Sequence, residues 1–162
     1  MMRVDRSEVS FVSNAPLERI EATNTASEGV LELDARAFAI KVPIKDFLGF
    51  NSPLQREHFN ENYLVSRTFP YATFTGRIIE TIDLTMVGTY TVRAKGQLTI
   101  HGVAMERIVP CKLVVATDGV RVTTDMDVLL TDHAIRVPRI VNQKIAPVVS
   151  VRIDVRFKPA QP

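Results

Sequence analysis

Apolar and polar residues alternate along most of this chain with a period of two. In the longest run Tyr90, Val92, Ala94, Gly96, Leu98 and Ile100 fall on one side, with Thr89, Thr91, Arg93, Lys95, Gln97 and Thr99 on the other. Such alternation puts the two sets on opposite faces of a strand. Twelve successive positions fit it, against the ~5–6 residues of an average strand. His101-Gly102 reads as a turn. Val103, Met105, Val109, Leu113 and Val115 continue on a return strand, with Arg107 out of place among them. Asp118-Gly119 is the strongest hairpin dipeptide present. Val120, Val122, Thr124, Met126, Val128 and Leu130 form a further face, and Val149, Val151, Ile153, Val155 and Phe157 a last strand. Between these two, Thr131 to Asn142 is mixed and reads as a loop. Upstream, shorter strands are predicted at Glu8–Val12, Leu17–Thr23, Gly29–Asp34 and on the face Phe38, Ile40, Val42 and Ile44. Another follows over Ala72–Asp83.

One stretch has a different period. Leu54, His58, Glu61 and Val65 recur at helical spacing, with Phe59, Tyr63 and Leu64 on a second, apolar face. Ser52 precedes Pro53 as an N-cap, and Gln55 completes a capping-box spacing. A helix over about 53–65 is predicted, ending before Pro70.

About eight strands in hairpin succession, with no strand–helix alternation, make the chain all-β and antiparallel. Long strands apolar on one face must hide that face, in a sandwich or a closed barrel. Strand length favours the barrel, with the helix packed across one end. The inward set is mostly medium or small, and Trp is absent. An eight-stranded barrel is either filled by its own side chains or holds one small ligand, and alternation alone leaves both open. The 162 residues fit one domain, 1–162, with 158–162 as a frayed tail.

Composition and chemistry narrow the function. Hydrophobic residues are 46%, charged residues 23%, and the net charge is +2, ordinary for a soluble protein. The outward rows Arg93, Lys95, Arg152, Arg156 and Lys158 lack the exposed aromatics of a nucleic-acid stacking surface. No nucleic-acid partner is expected. No uncharged apolar run approaches the ~18 residues of a spanning helix, so no integral membrane segment is expected. Cys111 is the only cysteine, which precludes an intrachain disulfide and leaves the redox compartment unmarked. The start MMRVDRSEVSF carries no secretory signal. The expected location is cytoplasmic if residue 1 is the native start, periplasmic if a signal was removed. His58 with Glu57 and Glu61 is the best candidate for metal or acid–base chemistry, but no second His lies nearby. His101 and His133 lie in a turn and a loop. No nucleophile or phosphate-loop motif occurs. Neither catalytic residues, metal nor cofactor are expected.

Four segments then carry a resemblance, in order along nearly the whole chain. They are VDRSEVSF, LQREHFNENYLVSRTFPYATFTGRI, GQLTIHGVAMERIVPCKLVV and DHAIRVPRIVNQKIA. Together the chain resembles the YceI-like family, lipid- or polyisoprenoid-binding barrels of lipocalin-like fold. It departs from the family pattern at Arg56-Glu57-His58, where many members have Arg-Asp before the helical His, and at His133, which stands in place of a tyrosine.

The resemblance implies non-catalytic binding of an isoprenoid or fatty-acyl lipid in the barrel lumen, for sequestration or transport. On the inward register, the candidate lining is Ile40, Val42, Phe59, Leu64, Phe74, Ile78, Tyr90, Val92, Leu98, Val115, Met126 and Val128. The alternative is a structural or protein-interaction barrel with a filled core, for which a homodimer is one option.

Overall fold

A computed structural model describes residues 1–160. Nine strands form one antiparallel sheet: β1 (Met2–Asn14), β2 (Arg19–Asn24), β3 (Glu28–Glu32), β4 (Ala37–Pro43), β5 (Tyr71–Ile78), β6 (Gly88–Ile100), β7 (Val103–Ala116), β8 (Gly119–Leu129) and β9 (Val148–Pro159). The order β1-β3-β4-β5-β6-β7-β8-β9 returns to β1 through a β1–β9 pairing. Eight strands therefore close into a barrel. The ninth, β2, is paired along the second half of β1, from Val9 to Asn14.

Closure follows from the one-sided faces. Val92, Ala94 and Leu98 of β6, Val109, Leu113 and Val115 of β7, and Ile153, Val155 and Phe157 of β9 are all buried. Their alternating neighbours Lys95, Gln97, Lys112 and Arg152 are exposed. β1 keeps its inward face by a bulge. Asp5 is an extra residue between the Val4–Phe157 and Arg6–Arg156 pairs, so inward positions change from even (Met2, Val4) to odd (Ser7, Val9, Phe11, Ser13). A bulge of this kind switches the face a strand presents. It explains why alternation predicts this strand only from Glu8 to Val12, although it begins at Met2. Of the tail expected to fray, Lys158 and Pro159 pair with Arg3 and Met2, and Gln161 and Pro162 lie outside the described residues.

Two further expectations are corrected. The helix predicted over 53–65 is α-helical only from Pro53 to His58, as α1, and continues as a wider π-turn over Phe59–Tyr63. There Leu64 N–H donates to the Phe59 carbonyl at 2.9 Å, five residues back. Val65 is left-handed at φ 48°, which ends the helix. The β7–β8 turn is Thr117-Asp118, one residue earlier than the Asp118-Gly119 pair suggests. Gly119 already pairs with Ala116, and a Cβ there would overlap the Phe157 carbonyl oxygen. Its glycine serves close approach to β9 rather than the turn.

The Gly76–Gly96 pair between β5 and β6 has a similar role. A Cβ on Gly76 would run into the Lys95 carbonyl oxygen, and one on Gly96 into that of Thr75. Gly76→Ala or Gly96→Ala should destabilise the barrel by about 1–3 kcal/mol through overpacking, read as a lower urea midpoint. On the outer wall Arg121 grips Asp154 through two hydrogen bonds of 2.7 and 3.0 Å. The Arg121 hydrogen bond holds the Asp154 carboxyl below its ordinary value. Such a contribution is present above the unfolded-chain carboxyl pKa and disappears as pH falls through the lower folded value. Asp154→Asn should lower the melting temperature at pH 7, and the difference from wild type should close in acid.

Candidate functional site

The interior is a column of side chains stacked in register. Ile40, Phe74 and Leu98 share one layer, Ile78, Ala94 and Val109 another, and Tyr90, Leu113, Val122 and Val155 a third. The twelve lining residues predicted from sequence all join one cluster. Ile40, Val42, Phe59, Phe74, Ile78, Val92, Leu98, Val115, Met126 and Val128 are buried, and Leu64 and Tyr90 are half-buried against them. Two buried serines on this face are occupied. Ser7 Oγ accepts from Ser27 N–H at 3.2 Å, and Ser13 Oγ accepts from Ala146 N–H at 2.9 Å. Cys111 is buried, and burial pushes its thiol pKa up, which disfavours the nucleophilic thiolate.

Each end is covered. At the α1 end, Phe11, Phe47, Phe50 and Phe59 form a ring cluster. Phe11 stacks on Phe59 at 5.4 Å between centroids with 9° between planes. Phe47 and Phe50 meet both rings at 5.0 to 6.1 Å. The local sequence builds this lid. Ser52 Oγ accepts from Gln55 N–H at 3.1 Å, and Gln55 Oε1 accepts from Asn51 N–H at 2.9 Å. Asn51 Nδ2 donates to the Arg19 carbonyl, and Arg56 to that of Lys45. The helix is thereby fixed across the barrel end, and Phe59 is its buried residue. At the other end, the loop between β5 and β6 buries Leu84. Tyr90 O–H donates to the Met86 carbonyl, and Glu80 accepts from Arg93 N–H and Nε. Phe47, Phe50 and Leu84 were not legible as lining, because they sit in aperiodic segments between elements.

The wall is unequal around its circumference. β7 bonds to β6 along nearly its whole length, Val103 to Val115, but to β8 only over Lys112–Ala116. The reason is Pro110. An antiparallel residue directs both N–H and C=O to one neighbour. The Pro110 carbonyl faces β8, where Thr124 Oγ1 donates to it at 2.7 Å. Its missing N–H is on that same edge, so the ladder stops there. Beyond it, Val103–Val109 and Met126–Leu129 run without ladder bonds to each other, leaving a slot. The β8–β9 connection bridges its outer end. His133, buried, sets Nδ1 at 2.9 Å from the Val103 carbonyl, and His101 sets Nδ1 at 3.0 Å from the His133 carbonyl. A carbonyl only accepts, so each Nδ1 carries the proton.

Chemistry elsewhere is sparse. Among the described residues no group of three or more His, Cys, Asp or Glu gathers as a metal ligand set. His58, Glu57 and Glu61 are exposed. The surface of the described residues is recessed beside α1 and over the β5–β6 wall. The recess beside α1, between Gly49 and Asn60, is about 480 Å³. That over the Gly76–Gly96 pair is about 400 Å³. Among the described residues no helix is long and apolar enough to cross a membrane.

A closed antiparallel eight-stranded barrel with one extra strand and a short helix across its end is a lipocalin-like architecture. The chain belongs to the YceI-like domain family, whose model matches residues 2–157. A polyisoprenoid binding domain from Saccharophagus degradans, implicated in plant cell wall breakdown, superposes with a TM-score of 0.86 at 13% identity, over 98% of both chains. BcnA of Burkholderia cenocepacia gives 0.77 at 16% identity, over 93% of this chain and 95% of that one. The YceI protein of Campylobacter jejuni gives 0.68 at 13%, over 83% and 82%. Likenesses at such identities establish the fold. No curated sequence matches the chain.

The bridging of the slot is open to a direct check. His133→Phe keeps a ring but removes the Nδ1 hydrogen bond to the Val103 carbonyl, at a cost of about 0.5–1.5 kcal/mol. Denaturant unfolding should show that loss, and the Ile135 amide, bonded to Leu130 O at 3.0 Å, should exchange faster with solvent.

Proposed function

We propose that this protein binds a long apolar ligand, a polyisoprenoid or a fatty-acyl lipid, in the bore of its barrel, and that it does no chemistry on it. The observation that carries the reading is the inward face itself. From Leu98 and Phe74 to Val115 and Phe157 it presents apolar groups, and Ser7, Ser13 and Thr124 already hold internal hydrogen bonds. A surface of this kind recognises chain length and apolarity rather than functional groups. The driving force is removal of CH₂ groups from water, about 0.8 kcal/mol each, set against the cost of ordering the chain. The polyisoprenoid binding domain of Saccharophagus degradans, with the same fold, supports the ligand class. Sequestration or transport fits a site with no reacting group.

A second reading has its own observation. Twenty-four buried apolar residues form one cluster, and ring contacts cover the α1 end. A permanently packed core would confine function to the surface.

Uptake of geranylgeraniol separates the two readings. Wild-type protein is expected to retain the alcohol through gel filtration, with mass spectrometry of the folded protein finding it bound. Ala94→Trp fills the middle of the bore and should weaken uptake by roughly tenfold or more, provided the variant still melts cooperatively. Uptake untouched by that plug places the ligand outside the bore. No uptake by wild type favours the packed core.

A further inference from the structure

Arg107 interrupts the inward face of β7. In register it lies between Met105 and Val109, opposite Gly96, with Gly76 and Phe38 continuing the same layer. It is half-buried, and among the described residues no hydrogen-bond acceptor or carboxylate engages it. The nearest carboxylate in sequence, Glu106, points outward and faces Lys95 at 3.6 Å. A guanidinium facing an apolar bore without a counter-charge is costly unless water or an anion meets it.

Its position shows where that meeting occurs. Arg107 lies three residues beyond Pro110, on the part of β7 that has no ladder to β8. Met105, of the same inward register, is 36% exposed there, whereas Val109 is 3%. The inward face of β7 thus reaches solvent through the slot. Along this edge, alternation turns the peptide groups of Ala104, Glu106 and Ile108 toward β8, as it does Pro110, and they too lack ladder partners. Their N–H groups and the guanidinium supply donors at one opening. Arginine in particular matches phosphate and carboxylate oxygens in paired hydrogen bonds.

We propose that the slot between β7 and β8 is the entry to the bore and that Arg107 holds there the anionic head group of an amphiphile, a phosphate or a carboxylate, whose tail lies inside. This rests on the lumen-binding reading above. The apolar wall selects the tail, and Arg107 selects the charged end and fixes which way round the ligand sits. Lys112, outward on the same strand, has no part in it.

Matched pairs of ligands test the assignment. Geranylgeranyl phosphate is compared with geranylgeraniol, and palmitate with hexadecanol, by displacement of a fluorescent apolar probe from the folded protein. Wild type should bind at least one anion more tightly than its alcohol by roughly tenfold or more, and the pair with the larger ratio tells phosphate from carboxylate. Arg107→Gln should bring that ratio close to one. Arg107→Lys should keep part of it, since charge remains without the paired geometry, and serves as the test should the glutamine variant melt early. Lys112→Gln should keep all of it. Equal ratios in wild type and Arg107→Gln, or no preference in wild type, overturn the head-group assignment while leaving lumen binding intact. Failure of both alcohols and both anions to bind wild type overturns the lumen reading as well.

Discussion

The fold depends on one seam. Eight strands with a single apolar face stay dry only if the sheet meets itself, and it does so where β1 pairs with β9 from Met2 to Val12. Around the other side of β1 the pairing is slight: only Met2 and Arg3 reach β3. β2 then occupies the second half of that edge, and Leu48 joins β2 through the Thr23 backbone at 2.7 and 2.9 Å. The sheet edge that closure leaves is thus covered by the chain's own next strand and by the segment leading to α1. A long exposed edge would be a template for pairing with other chains. The same few residues close the barrel, shield its edge and seat the lid.

Against that closure stands a local release. Proline is tolerated in a sheet where its missing donor faces no partner, and Pro110 creates such a place between two otherwise long strands. Thr124 satisfies the Pro110 carbonyl, and His133 satisfies the next point of contact along the slot. Both are side-chain bonds, which can break singly. A backbone ladder opens only by cooperative loss of several bonds. Beyond Pro110 the wall between β7 and β8 therefore separates at low cost, whereas β6–β7, bonded over thirteen residue pairs, is the stiffest. Local opening concentrates where few backbone bonds must be lost.

What was legible follows from period. β6 to β9 were readable nearly to their ends, because a half-buried strand writes its two faces alternately. The helix start was readable because capping is local: Ser52, Pro53 and Gln55 act within one turn. The helix end was not. Whether Phe59 begins a π-turn depends on the rings it meets, Phe11 and Phe47, which come from distant parts of the chain. The bulge at Asp5 hid half of β1 by shifting its parity. The twelve proposed lining residues were legible as an apolar set and join one cluster, yet the closure at both ends and the slot were hidden, since each depends on how far two neighbouring strands remain paired. Arg107 was visible as a break in a pattern, and only the geometry of its surroundings gives that break a meaning.

The balance between a filled and a ligand-bearing bore is one of magnitudes. The four rings over the α1 end make five mutual contacts, each worth roughly 0.5–1.5 kcal/mol beyond burial. Dispersing all of them would cost about 3–7 kcal/mol. A tail burying about ten CH₂ groups supplies roughly 8 kcal/mol. A short chain does not offset disruption of the lid, whereas one of fifteen or twenty carbons does, with a margin left for its own ordering. The proposed entry between β7 and β8 would shift this balance further. The rings then remain stacked, and the tail has to displace only the side chains of the bore, which are unbranched or small at Met126, Ala94 and Gly96. Under the proposed lumen binding, selection for long chains would arise from the energy of the packed interior, and the wall that Pro110 leaves unlaced would be a path that spares the lid.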